Sequence, residues 1–137
     1  MAKIIAYLTF NGNCREAMTF YKDSLGGELT LQSLEQSPMA RVLPTSMKHN
    51  ILHSTLTRGD LVLMASDMVS DAGLNKGNAV SLLLNCASED EINICYSALI
   101  SGGKATHPLE ETFSGSVFGD LTDRYGVHWL LNYSRSG

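Results

Sequence analysis

The feature that most constrains the fold is a pattern of apolar strand, amphipathic helix and paired glycines that occurs twice. In the first copy, Ile4–Thr9 is apolar on both faces, which predicts a strand covered on both sides. Asn13 and Glu16 have the spacing of a capping box, in which side chains bond the free N–H groups of the first helical turn. The helix ends at Gly26-Gly27, because glycine readily adopts the left-handed conformation that closes a helix.

The second copy repeats these signals in the same order. Ala79–Leu84 is again apolar on both faces and predicts a strand. Ser88 and Glu91 have the spacing of a second capping box, and Gly102-Gly103 marks the end of the second helix. A chain that repeats one supersecondary pattern is expected to contain two copies of one structural module.

Each copy continues with three further segments that have the composition of strands. We therefore predict an α+β protein of two βαβββ modules, about 1–67 and 79–137, in a single domain of 1–137 with a polar linker at about 68–78. The connection Glu35–Lys48 has no clear periodicity, and we interpret it as a flap. The predicted strands are about Glu28–Leu34, Asn50–Thr57, Leu61–Ser66, Lys104–His107, Val117–Leu121 and Val127–Tyr133.

Charge and cysteine usage exclude several classes of function. The net charge is −4 and the basic residues are scattered, whereas nucleic-acid binding needs a basic surface. No run approaches the ~18 apolar residues of a membrane helix. The three cysteines are widely spaced without a CxxC pattern, which is typical of reduced thiols in a cytoplasmic protein. We predict a small-molecule partner, and neither nucleic acid nor membrane.

Several motifs resemble one known superfamily in order and spacing. They include the segment Tyr-Leu-Thr-Phe-Asn-Gly-Asn-Cys-Arg-Glu-Ala at 7–17, Leu109–Phe113, and Thr122–Gly126 followed by Trp129. Together they resemble the vicinal oxygen chelate superfamily, and within it the PhnB-like branch, whose members are often labelled glyoxalase-like or demethylubiquinone-methyltransferase-like. The resemblance implies the glyoxalase/bleomycin resistance/dioxygenase fold, a cup-shaped mixed sheet with helices on its outer face, and a homodimer.

Metal-bearing members of the superfamily take ligands from the first and last strand of each module. The corresponding places here are near Ala6 or Tyr7, at Met64, near Ala79–Ser81, and at Leu130. A divalent ion exchanges its water shell for nitrogen or oxygen donors, which thioether and aliphatic side chains do not supply. We predict no metal. We also predict no cofactor, because no glycine-rich strand-to-helix loop for a nucleotide-type group is present.

Two histidines have a parity that directs them toward the cup. His128 shares the face of Leu130, where it is either a proton shuttle or hydrogen-bond donor, or a histidine at the solvated rim. His53 alternates with leucines expected to pack on a helix, so it points inward, as a ligand contact or as a satisfied structural group. His49 and His107 lie beside predicted loops and are expected to be solvated.

The remaining candidates are aromatic, apolar or small polar residues. Phe113 and Phe118 flank a glycine-containing turn that is placed either over the cup or in a core or subunit contact. Asp67 follows a strand and is expected to cap the linker or anchor its turn. The full predicted ligand-binding set is His53, Met64, Ser81, Phe113, Phe118, His128 and Leu130.

Three functions follow from these observations. The preferred hypothesis is a metal-free small-molecule binding protein. The alternative is an enzyme acting on a small carbonyl or enolisable substrate, with His53 or His128 as the base. The third is a structural or regulatory partner whose cup is filled by its own side chains. No residue is assigned as catalytic from the sequence.

Overall fold

The computed structural model describes residues 2–36, 47, 49–68 and 73–134, and the chain divides into two compact units, Met1–Asn75 and Lys76–Gly137. In the described residues, each unit is one βαβββ module, which confirms the predicted α+β class. The first contains β1 Ala6–Thr9, α1 Cys14–Leu25, β2 Glu28–Ser33, β3 Ile51–Arg58 and β4 Leu61–Ser66. The second contains β5 Leu82–Asn85, α2 Glu89–Leu99, β6 Lys104–Glu111, β7 Ser116–Thr122 and β8 His128–Ser134.

Both units use the same strand topology. The sheet of the first unit has the order β1-β4-β3-β2, and that of the second has the order β5-β8-β7-β6. In each sheet the first strand pairs in parallel with the last, and the other neighbours are antiparallel. The helix and the two strands that follow it provide the long connection that a parallel pair requires.

One face of each sheet is covered by the helix of the same unit. Because side chains alternate along a strand, the residues beneath each helix are buried, while those of opposite parity form a second face. We call this second face the open face, since no helix of the described residues in the same unit covers it. Buried beneath α1 are Ser54, Leu56, Leu63 and Ala65, and buried beneath α2 are Val117, Leu121, Trp129 and Leu131.

The C-terminal ends of the two helices are built alike. Arg58 Nη1 donates to the carbonyl oxygen of Leu25 at 2.8 Å, and Arg124 Nε donates to that of Ser101 at 3.0 Å. A cation at this end also interacts favourably with the helix dipole. The two helices therefore stop against arginines that lie in equivalent hairpins.

The second glycine of each pair lies against the neighbouring hairpin. A Cβ atom on Gly27 would collide with the carbonyl oxygen of Thr57, and a Cβ atom on Gly103 would collide with that of Thr122. Only glycine allows the chain to pass so close to another backbone. The close approach accounts for the second glycine of each pair, and the positive φ of Gly26 and Gly102 accounts for the first.

Some predicted boundaries are wrong. β5 begins at Leu82 rather than Ala79, and β6 extends to Glu111 rather than ending at His107, because it continues to pair with β7 beyond two irregularities. Asn13 is the N-cap of α1, but its side chain makes no capping hydrogen bond. The interior of the predicted flap, 37–46 and 48, and the linker residues 69–72 lie outside the described residues.

Candidate functional site

The open face of the first sheet carries a cluster around Tyr7. Register places Tyr7 opposite Met64 and Met64 opposite Thr55, so these three side chains form a row across the sheet. The ring of His53 stacks on Tyr7 with centroids 6.1 Å apart, and its Nε2 lies 3.2 Å from Thr55 Oγ1. Ser54, its neighbour in sequence, is buried beneath α1, so His53 points to the open face as its parity predicts.

The open face of the second sheet has an apolar centre between two polar pairs. Leu83 lies opposite Leu130 and is 61% exposed. On one side of this centre His128 Nδ1 lies 3.0 Å from Thr122 Oγ1. On the other side the Nδ2 atom of Asn132 donates to Asn85 Oδ1 at 3.0 Å. The two leucines therefore form a small hydrophobic surface with hydrogen-bonding groups on either side of it.

The predicted site residues do not all occupy these faces. Phe118 lies opposite Asn132 and therefore shares the open face of the second sheet with His128 and Leu130. Phe113 lies in the turn between β6 and β7 and is fully exposed. Ser81 precedes β5 and is exposed. Leu130 pairs with Leu83 on β5. The superfamily's metal-ligand position on this strand, predicted near Ala79–Ser81, is therefore corrected to Leu83.

The positions at which the superfamily places its metal ligands are themselves poor in donors. In the first unit Tyr7 lies beside Met64, and in the second Leu83 lies beside Leu130. Within the part of the chain that the structure describes, no three histidine, cysteine or acidic side chains gather as a metal site. A thioether and two leucines do not replace the water shell of a divalent ion, so these residues do not fit the metal that the fold family implies.

Asp67 has a structural position at the end of β4. Its Oδ1 accepts from the backbone N–H groups of Gly12 and Cys14, both at 2.9 Å. Its Oδ2 accepts from the N–H of Ile51 at 2.8 Å. These contacts hold the start of α1 and the start of β3 against β4, so the carboxylate anchors these segments rather than a ligand.

Cys14 is unsuited to nucleophilic chemistry. The pKa of its thiol is raised from 9.0 to about 11, mainly by burial and in smaller part by the Asp67 carboxylate, against a lowering by the hydrogen bond with Ser54. The nucleophile of a cysteine site is the thiolate, which this environment disfavours. The side chain instead packs in the core of the first unit, as the helical stripe predicts.

Sequence reasoning missed a histidine–carboxylate pair on the second sheet. His107 was expected at the end of a strand and solvated, and it is exposed on β6, but its Nδ1 is also 2.9 Å from Asp120 Oδ1. The register of β6 shifts on both sides of His107, so the cross-strand partner does not follow from simple alternation. The sequence did contain one signal for this pair, namely a histidine and an aspartate on two consecutive strands of a hairpin.

Comparison with known proteins identifies sequence relatives over nearly the whole chain. A family model described as 3-demethylubiquinone-9 3-methyltransferase matches residues 2–132. Protein YjdN of Escherichia coli (strain K12) is 28% identical over 138 residues, covering 92% of this chain and 91% of that protein. In the described residues, neither helix is long and apolar enough to span a membrane.

Solved structures share both the sequence pattern and the fold. Protein PA1353 from Pseudomonas aeruginosa is 39% identical with a TM-score of 0.83, and 98% of each chain is covered. The PhnB protein from Bacillus cereus is 28% identical with a TM-score of 0.72, covering 97% of this chain and all 100% of that one. A glyoxalase/bleomycin resistance protein/dioxygenase family enzyme from Burkholderia phytofirmans PsJN has a TM-score of 0.64 at 10% identity, with 94% and 95% covered, and so shares the fold alone. The chain belongs to the family described as 3-demethylubiquinone-9 3-methyltransferase, as a PhnB-like member of the vicinal oxygen chelate fold.

Proposed function

We propose that this protein binds a small molecule with an apolar body, without a metal ion, on the open faces of its sheets. The observation that carries the proposal is the apolar centre formed by Leu83 and Leu130 between two polar pairs. Binding sites for small molecules are commonly apolar with a few placed hydrogen-bonding groups. His128 supplies such a group on one side of the apolar centre, and Phe118 provides an aromatic contact on the other side, opposite Asn132.

The first sheet supports the same function with different side chains. His53 and Tyr7 offer a stacked pair of rings, which suits a planar ligand. Met64 lies beside them, and its flexible thioether adapts to apolar groups of different shape. Ser81 and Phe113, exposed residues of the second unit, complete the proposed set.

We further propose that the protein acts as a homodimer in the cytoplasm. Val80, Leu83 and Phe113 are exposed by 77%, 61% and 107% in the single chain, and a second copy would shield part of this apolar surface. The three cysteines are free thiols, which suits a reducing compartment. Sedimentation analysis of the purified protein tests the dimer, and a monomer at all concentrations would contradict it.

Thermal-shift screening of metabolites and aromatic antibiotics tests the binding function. A ligand present at 100-fold its Kd stabilises the folded protein by about 2.7 kcal/mol. Leu130→Ala removes apolar contact area and should weaken binding of the ligand found by about tenfold. Ile94→Ala is the matched control, because Ile94 is an exposed aliphatic residue on α2, outside the open faces, and should leave affinity unchanged.

Two results would overturn the proposal. One is the absence of any stabilising compound in a broad library, together with no change in behaviour of the Leu130→Ala protein. The other is retention of stoichiometric divalent metal by the native protein through dialysis, since Met64, Leu83 and Leu130 at the superfamily's metal positions supply no suitable donors.

A further inference from the structure

We propose that His107 is a general base on the open face of the second sheet, with Asp120 as the residue that positions its ring. The inference deepens the proposed function, because it assigns proton-transfer chemistry to the face on which we place the ligand. It differs from the sequence-based alternative, which assigned the base to His53 or His128.

The pair has the geometry of an oriented imidazole. His107 Nδ1 lies 2.9 Å from Asp120 Oδ1, and the histidine side chain is 73% exposed while the aspartate is only 14% exposed. Since an ionised carboxylate only accepts hydrogen bonds, Nδ1 carries the proton in the neutral ring. The lone pair is then on Nε2, the atom opposite the carboxylate, where a substrate proton can reach it.

The backbone around the pair is locally specialised. The β6–β7 register shifts between Ala105 and His107 and again between His107 and Glu110. Such bulges change the direction of a side chain and occur often beside active sites. The hydroxyl of Tyr96 lies 3.0 Å from the carbonyl oxygen of His107 and 3.1 Å from that of Asp120, so one phenol contacts both strands beneath the pair.

Gly119 completes this arrangement from β7. A Cβ atom at this position would lie 3.0 Å from the carbonyl oxygen of His107 and 2.9 Å from Leu109 Cδ2. The absence of a side chain therefore allows the bulged β6 to approach β7 closely. Tyr96 and the close approach at Gly119 fix the backbone on which the pair lies, and the contact with Asp120 orients the His107 ring.

His107 is better suited to proton abstraction than the other two open-face histidines. His128 and His53 each contact a threonine hydroxyl, whereas His107 contacts a carboxylate. A carboxylate fixes the ring tautomer and stabilises the imidazolium that forms when the base takes a proton, while a hydroxyl carries no charge to do so.

The neighbours of the pair indicate the class of substrate. Asp120 lies opposite Leu130, and His107 lies opposite Asp120, so the pair continues the row of the apolar centre, with Asp120 between Leu130 and the base. Glu110 lies opposite Phe118 on the same face, so a negatively charged substrate would be repelled by two carboxylates. The substrate class that fits is a neutral weak acid with an apolar body. Its proton moves to Nε2, the electron pair remains on the substrate, and the imidazolium later returns the proton to product or water.

The ring tautomer is the first test, and it does not depend on a ligand. Long-range proton–nitrogen NMR spectra of histidine-labelled protein should show His107 with its proton on Nδ1. Asp120→Ala removes the acceptor and should shift the proton to Nε2, while the signals of His49, an exposed histidine in a loop, should not change. A wild-type His107 with its proton on Nε2 would overturn the proposal.

A general-base probe is the second test. Removal of the ring C–H proton of 5-nitrobenzisoxazole, a neutral planar carbon acid, breaks its N–O bond and releases a coloured phenolate without another reactant. His107→Gln should lower the protein-dependent rate by about tenfold or more, and Asp120→Asn should lower it less. His49→Gln is the control and should retain the wild-type rate. Circular dichroism establishes that each variant is folded.

Equal rates for wild type and His107→Gln would overturn the general base even if the tautomer is as expected. That failure is distinct from failure of the proposed function, because ligand binding is measured by thermal shift with Leu130→Ala. A protein that binds its ligand but shows no His107-dependent elimination is a binding protein without this chemistry. If the elimination depends on His107 but no compound stabilises the protein, the general base is supported and the proposed binding function is contradicted.

Discussion

The two units end their helices in the same way and begin them differently. Arg58 and Arg124 bond the carbonyl groups at the ends of α1 and α2. At the other ends, the N–H of Cys14 in α1 is bonded by Asp67, whereas the N–H of Glu91 in α2 is bonded by Ser88 Oγ at 3.0 Å. One repeated fold thus uses a distant carboxylate in one copy and a local hydroxyl in the other.

The same contrast appears in the buried charges. Asp67 and Asp123 are the buried charged residues of the described chain. Asp123 accepts from the N–H groups of Tyr125 and Val127 and from Trp129 Nε1, all within its own hairpin. Asp67 instead joins segments that are far apart in sequence. The buried carboxylate of the first unit therefore makes long-range contacts, whereas that of the second unit bonds groups within one hairpin.

The largest expected effect follows from removing the long-range carboxylate. Asp67→Ala leaves the N–H groups of Gly12, Cys14 and Ile51 without this acceptor, and should lower the free energy of unfolding by about 3 kcal/mol. Urea unfolding followed by circular dichroism measures the loss.

Asp67→Asn is the matched control for this change. It keeps one carbonyl oxygen for Gly12 and Cys14 but places an NH₂ group against the N–H of Ile51. Its loss of stability should be smaller than that of Asp67→Ala. A loss below about 1 kcal/mol for the alanine variant would show that the first unit does not rely on this contact.

A smaller effect is expected at the start of α2. Ser88→Ala removes the hydroxyl that accepts from Glu91 N–H, but this end of the helix is solvated, so water can replace it. The free energy of unfolding should fall by about 1 kcal/mol, the usual cost of losing an N-cap. Urea unfolding under the same conditions makes the two helix starts comparable. If Ser88→Ala costs as much as Asp67→Ala, the contrast between distant and local capping fails.

The last prediction concerns the pH dependence of stability, to which titration of Cys14 adds nothing near neutral pH. Its folded-state pKa of about 11 is above the ordinary value of 9.0, so between these values the unfolded chain loses the proton first. The free energy of unfolding should therefore fall as pH rises from 9 to 11, and this contribution is fully present below pH 9. Cys14→Ser lacks this titration. Unfolding of both proteins across the range should give a steeper decline for wild type, and parallel declines would contradict the prediction.

Features written in local sequence could be predicted. The bounds Leu61–Ser66 of β4 are confirmed, because a short glycine-containing turn precedes an apolar run. The box of Ser88 and Glu91 is confirmed in part: Ser88 Oγ bonds Glu91 N–H, while Glu91 Oε1 accepts from Ala87 N–H, one residue before the cap. Both features involve residues within a few positions of each other.

Features that depend on distant residues could not be predicted. The Asn13 half of the predicted capping box is wrong, since the Asn13 side chain makes no capping hydrogen bond, and the start of α1 is instead held by Asp67, which accepts from the N–H of Cys14. The His107–Asp120 pair depends on bulges in β6 that shift the register by amounts that alternation does not reveal. Candidate residues on regular strands, such as His53 and Leu130, could be assigned to a face by parity alone.

The position of Trp129 gives the protein a built-in optical reporter. It is the chain's single tryptophan, is 4% exposed, and belongs to the second unit. Intrinsic emission excited through indole therefore reports on that half of the molecule, while the first half contributes no indole signal. Tryptophan emission and far-ultraviolet circular dichroism can be recorded in the same urea titration. Coincident transitions mean that the two units unfold together, and separate transitions mean that they unfold one after the other.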